Sequence, residues 1–259
     1  MSKLPLVSII TTVFNGKETI DNTIKSVLIQ SYQNIEYIVV DGCSTDGTID
    51  IVEKYKDKIA KFISEGDRGV YDGMNKGIKM ATGDIIGILN SDDVYASDKV
   101  IEIVVNTMEE RNADVCWGDL VYVDKKNTDK IIRYWKSSEY KKGKFRKGWH
   151  PSHPTFFVKK WVYEKYGSFN LDFPIAADYE IMLRFLEKYK VQSCYIPQVL
   201  VKMRIGGQSN KSVKNIIKAN IECYRAWKVN GLKINPLIIF LKPLSKIPQY
   251  FNKRSKLDF

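Results

Sequence analysis

Val7-Ser8-Ile9-Ile10-Thr11-Thr12-Val13-Phe14-Asn15-Gly16 is the stretch on which the fold turns. Val7 to Thr12 is rich in β-branched residues, which suit a packed, pleated surface, and the run stops at the turn signal Asn15-Gly16. The period then changes. Ile20, Ile24, Val27 and Leu28 share one face of a 3.6-residue repeat, so a helix follows the strand. Ile35 to Val40 reads as a second strand closed by Asp41-Gly42, and Asp46-Gly47-Thr48 opens a helix with Ile49, Val52 and Tyr55 on one side. Ile59 to Ile63, a helix from Tyr71 to Met80, the apolar strand Ile85 to Leu89, a helix carrying Val100, Ile101, Val104, Val105 and Met108, and a strand from Val115 to Trp117 continue the alternation. This order implies an α/β fold with a mostly parallel central sheet flanked by helices and joined by right-handed crossovers.

The second half is less regular. Phe156 to Val158, Gln192 to Ile196 and Leu200 to Met203 read as strands; Trp161 to Tyr166, Tyr179 to Tyr189 and Val213 to Trp227 read as helices. We divide the chain into residues 1–122, 123–210 and 211–259, the last a helix plus a basic, amphipathic tail. Pro236, Pro243 and Pro248 prevent one continuous helix there. That tail reads either as a segment lying on a membrane or as one packed back over the sheet.

With 259 residues, 44% of them hydrophobic and 27% charged, the chain is long and apolar enough for a large core. Cys43, Cys116, Cys194 and Cys223 are too scattered for a zinc site or a disulfide framework. Met1 to Pro5 leads directly into the first strand and no run of eighteen apolar residues occurs, so a reduced, cytoplasmic location is expected. The net charge of +11 is concentrated in the second half. Between Lys125 and Lys147 only Asp129 and Glu139 oppose ten basic residues, which suggests a negatively charged partner: phosphate groups, a membrane surface or nucleic acid.

Ligands of open α/β sheets bind outside the carboxyl ends of the strands. Those ends carry Thr12 to Asn15, Asp41, Glu65-Gly66-Asp67 and Ser91-Asp92-Asp93. Carboxylates gathered on one rim repel each other unless a cation or hydrogen-bond donors offset them, and a divalent metal with oxygen ligands is the natural resolution.

The stretches Val7 to Asn15, Val39 to Thr48, Asn90-Ser91-Asp92-Asp93, Ser64 to Gly77 and Ala176-Ala177-Asp178-Tyr179-Glu180, taken in that order, resemble family-2 glycosyltransferases of the GT-A fold, in particular those that build bacterial capsule, O-antigen and exopolysaccharide units. The resemblance covers roughly residues 5 to 210. It implies a nucleotide-binding half followed by an acceptor half, and inverting transfer from a nucleotide diphosphate sugar, a UDP-sugar, to a saccharide. Asp41 would accept a hydrogen bond from the uracil, Phe14 would stack on it, and Thr12 and Asn15 would line the pocket. Ser91 and Asp92 would sit near the ribose and diphosphate. Asp93 would bind Mn²⁺ or Mg²⁺, although Ser91 stands where the first Asp of a DxD motif would be. Asp67, Asp72 and Asn75 would contact the donor, Asp67 foremost.

Asp178 resembles the catalytic base at a helix start, where the helix end favours its ionised form; a plain N-cap is the alternative. Glu180 is a reserve base. His153 faces the acceptor or is structural, and Arg204 with Gln208 in the Gly206 to Ser209 stretch either closes over the diphosphate or forms an ordinary turn. Asp46 reads as a helix cap before a ligand. The acceptor is expected to be lipid-linked, of the undecaprenyl-diphosphate type, which accounts for the charge asymmetry and a peripheral membrane contact.

Other classes fit less well. A sugar-phosphate nucleotidyltransferase needs a glycine-rich basic loop after the first strand, where Asn15-Gly16-Lys17 offers one glycine and one lysine. A dinucleotide enzyme needs GxGxxG there. The basic residues form no nucleic-acid-binding motif, so no nucleic-acid partner is expected.

Overall fold

All of Val7–Val13 is buried, and its side chains alternate between two cores: Val7, Ile9 and Val13 enter one, Ile10 the other. This is the period-2 signature of a strand covered on both faces. The computed structural model describes residues 4–206 and 213–234. In chain order the first half contains β1 (Val7–Val13), α1 (Ile20–Leu28), β2 (Ile35–Asp41), α2 (Thr48–Glu53), β3 (Lys61–Ser64), α3 (Val70–Met80), β4 (Ile85–Ile88), β5 (Asp93–Tyr95) and α4 (Val100–Glu110). The second half adds β6 (Val115–Val123), β7 (Ile131–Trp135), β8 (Phe157–Lys159), α5 (Lys160–Tyr166), α6 (Ala177–Leu183), β9 (Ser193–Arg204) and α7 (Val213–Val229).

The described residues form a nine-stranded sheet in the order β3-β2-β1-β4-β8-β6-β9-β5, with β7 on β6. The first four strands are parallel. Beyond them the sheet is mixed: β8 runs antiparallel to β4 and β6, β6 and β9 are parallel, β5 pairs antiparallel with β9, and β7 pairs antiparallel with β6. One sheet therefore runs through both halves of the chain. α1, α2 and α4 cover one face through Ile20, Ile24, Val27, Val52, Val100, Ile101 and Val104. α3, α5, α6 and α7 cover the other through Met74, Ile78, Val162, Met182 and Trp227. Fully burying each aliphatic side chain contributes about 1.5–3 kcal/mol.

Several features depart from the sequence reading, among them β6, which runs on from Trp117 to Val123, and β7, which that reading lacks. β5 is only three residues long, too short for a periodic signal, yet it locks Asp93 opposite Met203 of β9. The two strands expected at 192–196 and 200–203 are one strand, β9, whose register against β6 slips between Ile196 and Val199. Pro197 sits in that slip, where it needs no ladder N–H. The helix opened at Asp46 starts at Thr48 instead; Asp46 caps it from outside, its Oδ1 accepting the Thr48 N–H at 3.0 Å.

Candidate active site

In-register parallel pairing brings the carboxyl ends of β1, β2 and β3 level, with Val13 beside Asp41 and Asp41 beside Ser64. Asp41 is fully buried; its Oδ2 accepts from the Ser44 N–H at 2.9 Å and the Ser64 hydroxyl at 2.7 Å. Gly42 follows in close quarters: a Cβ there would lie 2.8 Å from Asp67 Oδ2 and 3.5 Å from the Phe14 ring. Asp67 turns its other oxygen back to the Gly69 N–H, 2.8 Å away. A Cβ on Gly73, at the start of α3, would meet both Thr12 and Asp67 Oδ2. Thr12, Phe14, Asp41 and Asp67 thus form one cluster, and Phe14 lies 65% exposed at its edge.

Asn15 has a different job from the one expected. It adopts a left-handed backbone (φ 51°), which asparagine tolerates, and its Oδ1 accepts the Thr45 N–H at 2.9 Å while its own N–H bonds Ser44 Oγ. Its side chain holds the loop after β2 rather than lining the pocket.

Next along the rim, a Cβ on Gly16 would lie 3.4 Å from Ser91 Oγ, so the loop after β1 touches the loop after β4. Thr23 of α1 donates to the carbonyls of Ser91 and Asp93, which fixes the loop's course. Asp93 is fully buried with Oδ2 taking the Asn90 amide at 3.0 Å. Burial, reinforced by the Asp92 charge, pushes the Asp93 carboxyl well above the usual carboxylate range. Arg204 is the opposing cation, but not as a loop clamp. It is 3% exposed at the end of β9 and donates to the carbonyls of Asp92 and Lys125, so it braces the Asp92-Asp93 loop from behind.

Asp178 lies within α6, with Ala176 in the cap position and no side-chain capping bond. The Tyr71 hydroxyl of α3 is shared between Ile175 O (2.9 Å) and Asp178 Oδ1 (3.1 Å). Burial, then the Asp178 charge, lifts the Tyr71 phenol well above its usual range, so it stays a proton donor. Tyr71 stacks on Phe169 at 5.4 Å, and His153 meets the same ring edge-on. Burial lowers the His153 pKa, the nearby Asp178 charge opposing, and its Nε2 has no partner among the described residues.

Two further expectations are corrected. Glu180 is 2% exposed with both oxygens engaged, by Arg184 at 3.0 Å and Asn230 at 2.9 Å, so it packs α6 and is no reserve base. Asn75 binds both the carbonyl and the N–H of Phe169 through its carboxamide, so its first role is to tie α3 to that loop. Asp72 accepts the Arg68 N–H and lines a shallow pocket with Tyr71, Leu171 and Pro174. Gln208 lies outside the described residues. Tyr71, Ser64 and Glu222 were missed; none carries a local signal, because each acts on residues distant in sequence.

Thr12 Oγ1, Asp41 Oδ1 and Asp93 Oδ1 are buried with no hydrogen-bond partner among the described residues. Each such atom costs about 1–3 kcal/mol unless something pairs with it. Among the described residues no three His, Cys, Asp or Glu side chains form a metal cage. Asp92 and Asp93 instead fit a cation of the kind held by one or two carboxylates with phosphate oxygens supplying the rest.

A family model, glycosyl transferase family 2, matches residues 8–166, well over half of the chain. The chain belongs to this family. An uncharacterized glycosyltransferase of Mycobacterium tuberculosis is 34% identical to it over 191 residues, 71% of this chain and 70% of that protein. A PGL/p-HBAD biosynthesis glycosyltransferase of Mycobacterium bovis is 26% identical over 214 residues, 81% of each. The fold of this glycosyltransferase is the GT-A fold. S. aureus TarS 1–349 in complex with UDP superposes with a TM-score of 0.63 at 16% identity, over 94% of this chain and 72% of that one. A mannosyltransferase from Pyrobaculum calidifontis in complex with GDP-Man and Mn²⁺ gives 0.66 at 17% identity, over 96% and 72%. The oxidoreductase, nucleotidyltransferase and nucleic-acid-binding readings fall with the family assignment. Among the described residues no helix is long and apolar enough to cross a membrane.

Proposed function

We propose that this glycosyltransferase moves a sugar from a UDP-sugar to a saccharide acceptor with inversion, dependent on Mn²⁺ or Mg²⁺. The observation that carries the reading is the set of unpaired buried oxygens of Thr12 on β1, Asp41 at the end of β2 and Asp93 at the start of β5. Asp41 Oδ1 accepts from the uracil, Phe14 stacks on it, and Thr12 closes the pocket. Residues 1–122 thereby bind the donor and residues 123–210 receive the acceptor.

Asp93, with Asp92 nearby, would hold a divalent cation, which would supply positive charge to the departing diphosphate. Arg204 keeps that loop in position. Asp178, steadied by Tyr71, removes the proton from the acceptor hydroxyl as its oxygen attacks the anomeric carbon from the face opposite the diphosphate. One displacement inverts the configuration. His153, kept neutral by burial, borders the same space.

We place the acceptor on a lipid carrier, as in surface polysaccharide synthesis. The outer face of α7 supports this: Lys214, Lys218, Arg225 and Lys228 are exposed there, with exposed Ile217, Ile221 and Val229 between them. A helix face of this composition suits an anionic bilayer. The tail after Asn235 lies outside the described residues. Reversing Lys214, Lys218 and Arg225 to Glu should abolish sedimentation with phosphatidylglycerol vesicles; unchanged sedimentation removes the membrane contact.

A screen of nucleotide sugars with Mn²⁺ or Mg²⁺ tests the donor assignment. The expected result is turnover of a UDP-sugar by the intact protein, with metal-dependent nucleotide binding lost in Asp93→Ala. Metal-independent binding that survives Asp93→Ala would overturn it.

A further inference from the structure

Ile175 is the residue two before α6, and both of its backbone polar groups are taken by distant side chains. Its carbonyl receives the Tyr71 hydroxyl from α3 at 2.9 Å. Its N–H goes to Glu222 Oε2 on α7 at 2.9 Å, and the same oxygen accepts the Ala176 N–H at 2.8 Å. Glu222 is 2% exposed, the sole acidic residue of α7, and its other oxygen has no partner among the described residues. A buried carboxylate costs free energy to desolvate, and two backbone N–H donors are what it receives in return. α7 grips α6 at two further points, Trp227 Nε1 to the Tyr179 hydroxyl at 3.0 Å and Asn230 to Glu180 at 2.9 Å. Arg225 meanwhile lies over the Phe173 ring in the segment leading to Ile175. Every contact fixes the chain on either side of Asp178, while Tyr71 touches its carboxylate directly.

We infer that Glu222 is a positioning residue for the transfer reaction: with Tyr71 it braces the turn at Ile175-Ala176, so that α7 sets where the base Asp178 stands. The inference rests on the reading of Asp178 as the base. Glu222 touches neither donor nor acceptor; it acts through the peptide groups that enter α6. The unbraced turn is free to shift, and displacing a reacting group by about 1 Å costs roughly 100-fold in rate. The family match ends at residue 166, so Glu222 and the turn it holds lie beyond it, while Tyr71 lies within it.

The test compares turnover and UDP affinity in Glu222→Ala, Glu222→Gln and Tyr71→Phe, each also in an Asp178→Ala background. Glu222→Ala should lower kcat about 100-fold while the UDP Kd stays within about twofold of wild type. Glu222→Gln, whose amide oxygen still accepts both N–H groups, should recover most of that loss. Tyr71→Phe removes one hydroxyl from a packed ring and should lower kcat about tenfold, the rate equivalent of one hydrogen bond, with UDP binding unchanged. In Asp178→Ala the same substitutions should change the residual rate by less than about twofold, because their route to the chemistry is gone. If Glu222→Ala does not bind UDP, Tyr71→Phe and Glu222→Gln decide. Wild-type kcat in Tyr71→Phe, equal losses in Glu222→Gln and Glu222→Ala, or undiminished effects in the Asp178→Ala background would each overturn the inference. Full turnover by Asp178→Ala alone would instead sink the assignment of the base, a separate outcome.

Discussion

Arg204 Nη1 donates to the carbonyl oxygen of Asp92 at 2.6 Å, across 112 positions of sequence. β9 carries the guanidinium to the back of the loop that presents Asp92 and Asp93, where it is the positive charge facing a buried carboxyl. Burial pulls its own pKa down and the Asp93 and Asp92 charges pull it up. Removing the guanidinium leaves the carbonyls of Asp92 and Lys125 without their donor, at about 1–3 kcal/mol for a buried group. Arg204→Met is therefore expected to lower the urea unfolding free energy by about 2 kcal/mol. An unchanged midpoint would mean that Arg204 is a solvent-facing side chain after all.

Cys43 stands one residue past Gly42 on the loop held by Asn15 and Ser44, with a left-handed backbone (φ 64°). It is exposed, whereas Cys116, Cys194 and Cys223 are buried, so brief treatment with N-ethylmaleimide should modify Cys43 selectively. The added bulk borders Phe14 and Asp41. Calorimetry should then find UDP binding weakened at least about tenfold, roughly the loss of one good contact, and prior UDP should slow the labelling. Labelled protein that binds UDP normally would move the base pocket elsewhere.

Glu36 joins three segments of the parallel sheet. It accepts from Ser8 at 2.5 Å, from Thr82 N–H at 2.7 Å and from Lys61 at 2.7 Å. Burial by itself would raise this carboxyl; the Lys61 ammonium and the Ser8 and Thr82 donors outweigh it and hold the pKa down to about 2. The folded value lies below the unfolded one of about 4.3, so the stabilisation is complete above that pH and is lost as the pH falls through about 2. The gap in unfolding free energy between wild type and Glu36→Gln should thus be constant from pH 7 to 5 and shrink between pH 4 and 2. A gap independent of pH would contradict the ion-pair assignment.

The parallel half of the fold was legible because its strands are unbroken β-branched runs and its helices keep a strict 3.6-residue period, as in Ile20, Ile24 and Val27. Strand ends are readable for the same reason, and polar residues such as Asp41 and Asp93 stand out after apolar runs. What did not show is tertiary. Asp93 lies in β5, whose partner is 110 positions away in β9, so its complete burial leaves no local trace. Glu180 and Asp178 are equivalent in pattern, two apart on one helix start. Only the packing of Arg184 and Asn230 around Glu180, and of Tyr71 beside Asp178, tells the carboxylate with both oxygens engaged from the one that shares a tyrosine hydroxyl. Asn15, Asn75 and Arg204 look like ligand contacts by type and position, but backbone groups of other loops claim them first.

The most direct test of sugar transfer at this rim is a paired measurement on Asp178→Asn: UDP-sugar affinity with Mn²⁺ by calorimetry, and transfer to an acceptor by product assay. The substitution keeps the size and the Tyr71 contact but cannot take a proton. The expected result is donor affinity within about twofold of wild type and transfer lowered by about 10²–10⁴-fold, the usual contribution of a general base. Transfer at the wild-type rate with donor still bound would contradict the role of Asp178 and the reading built on it.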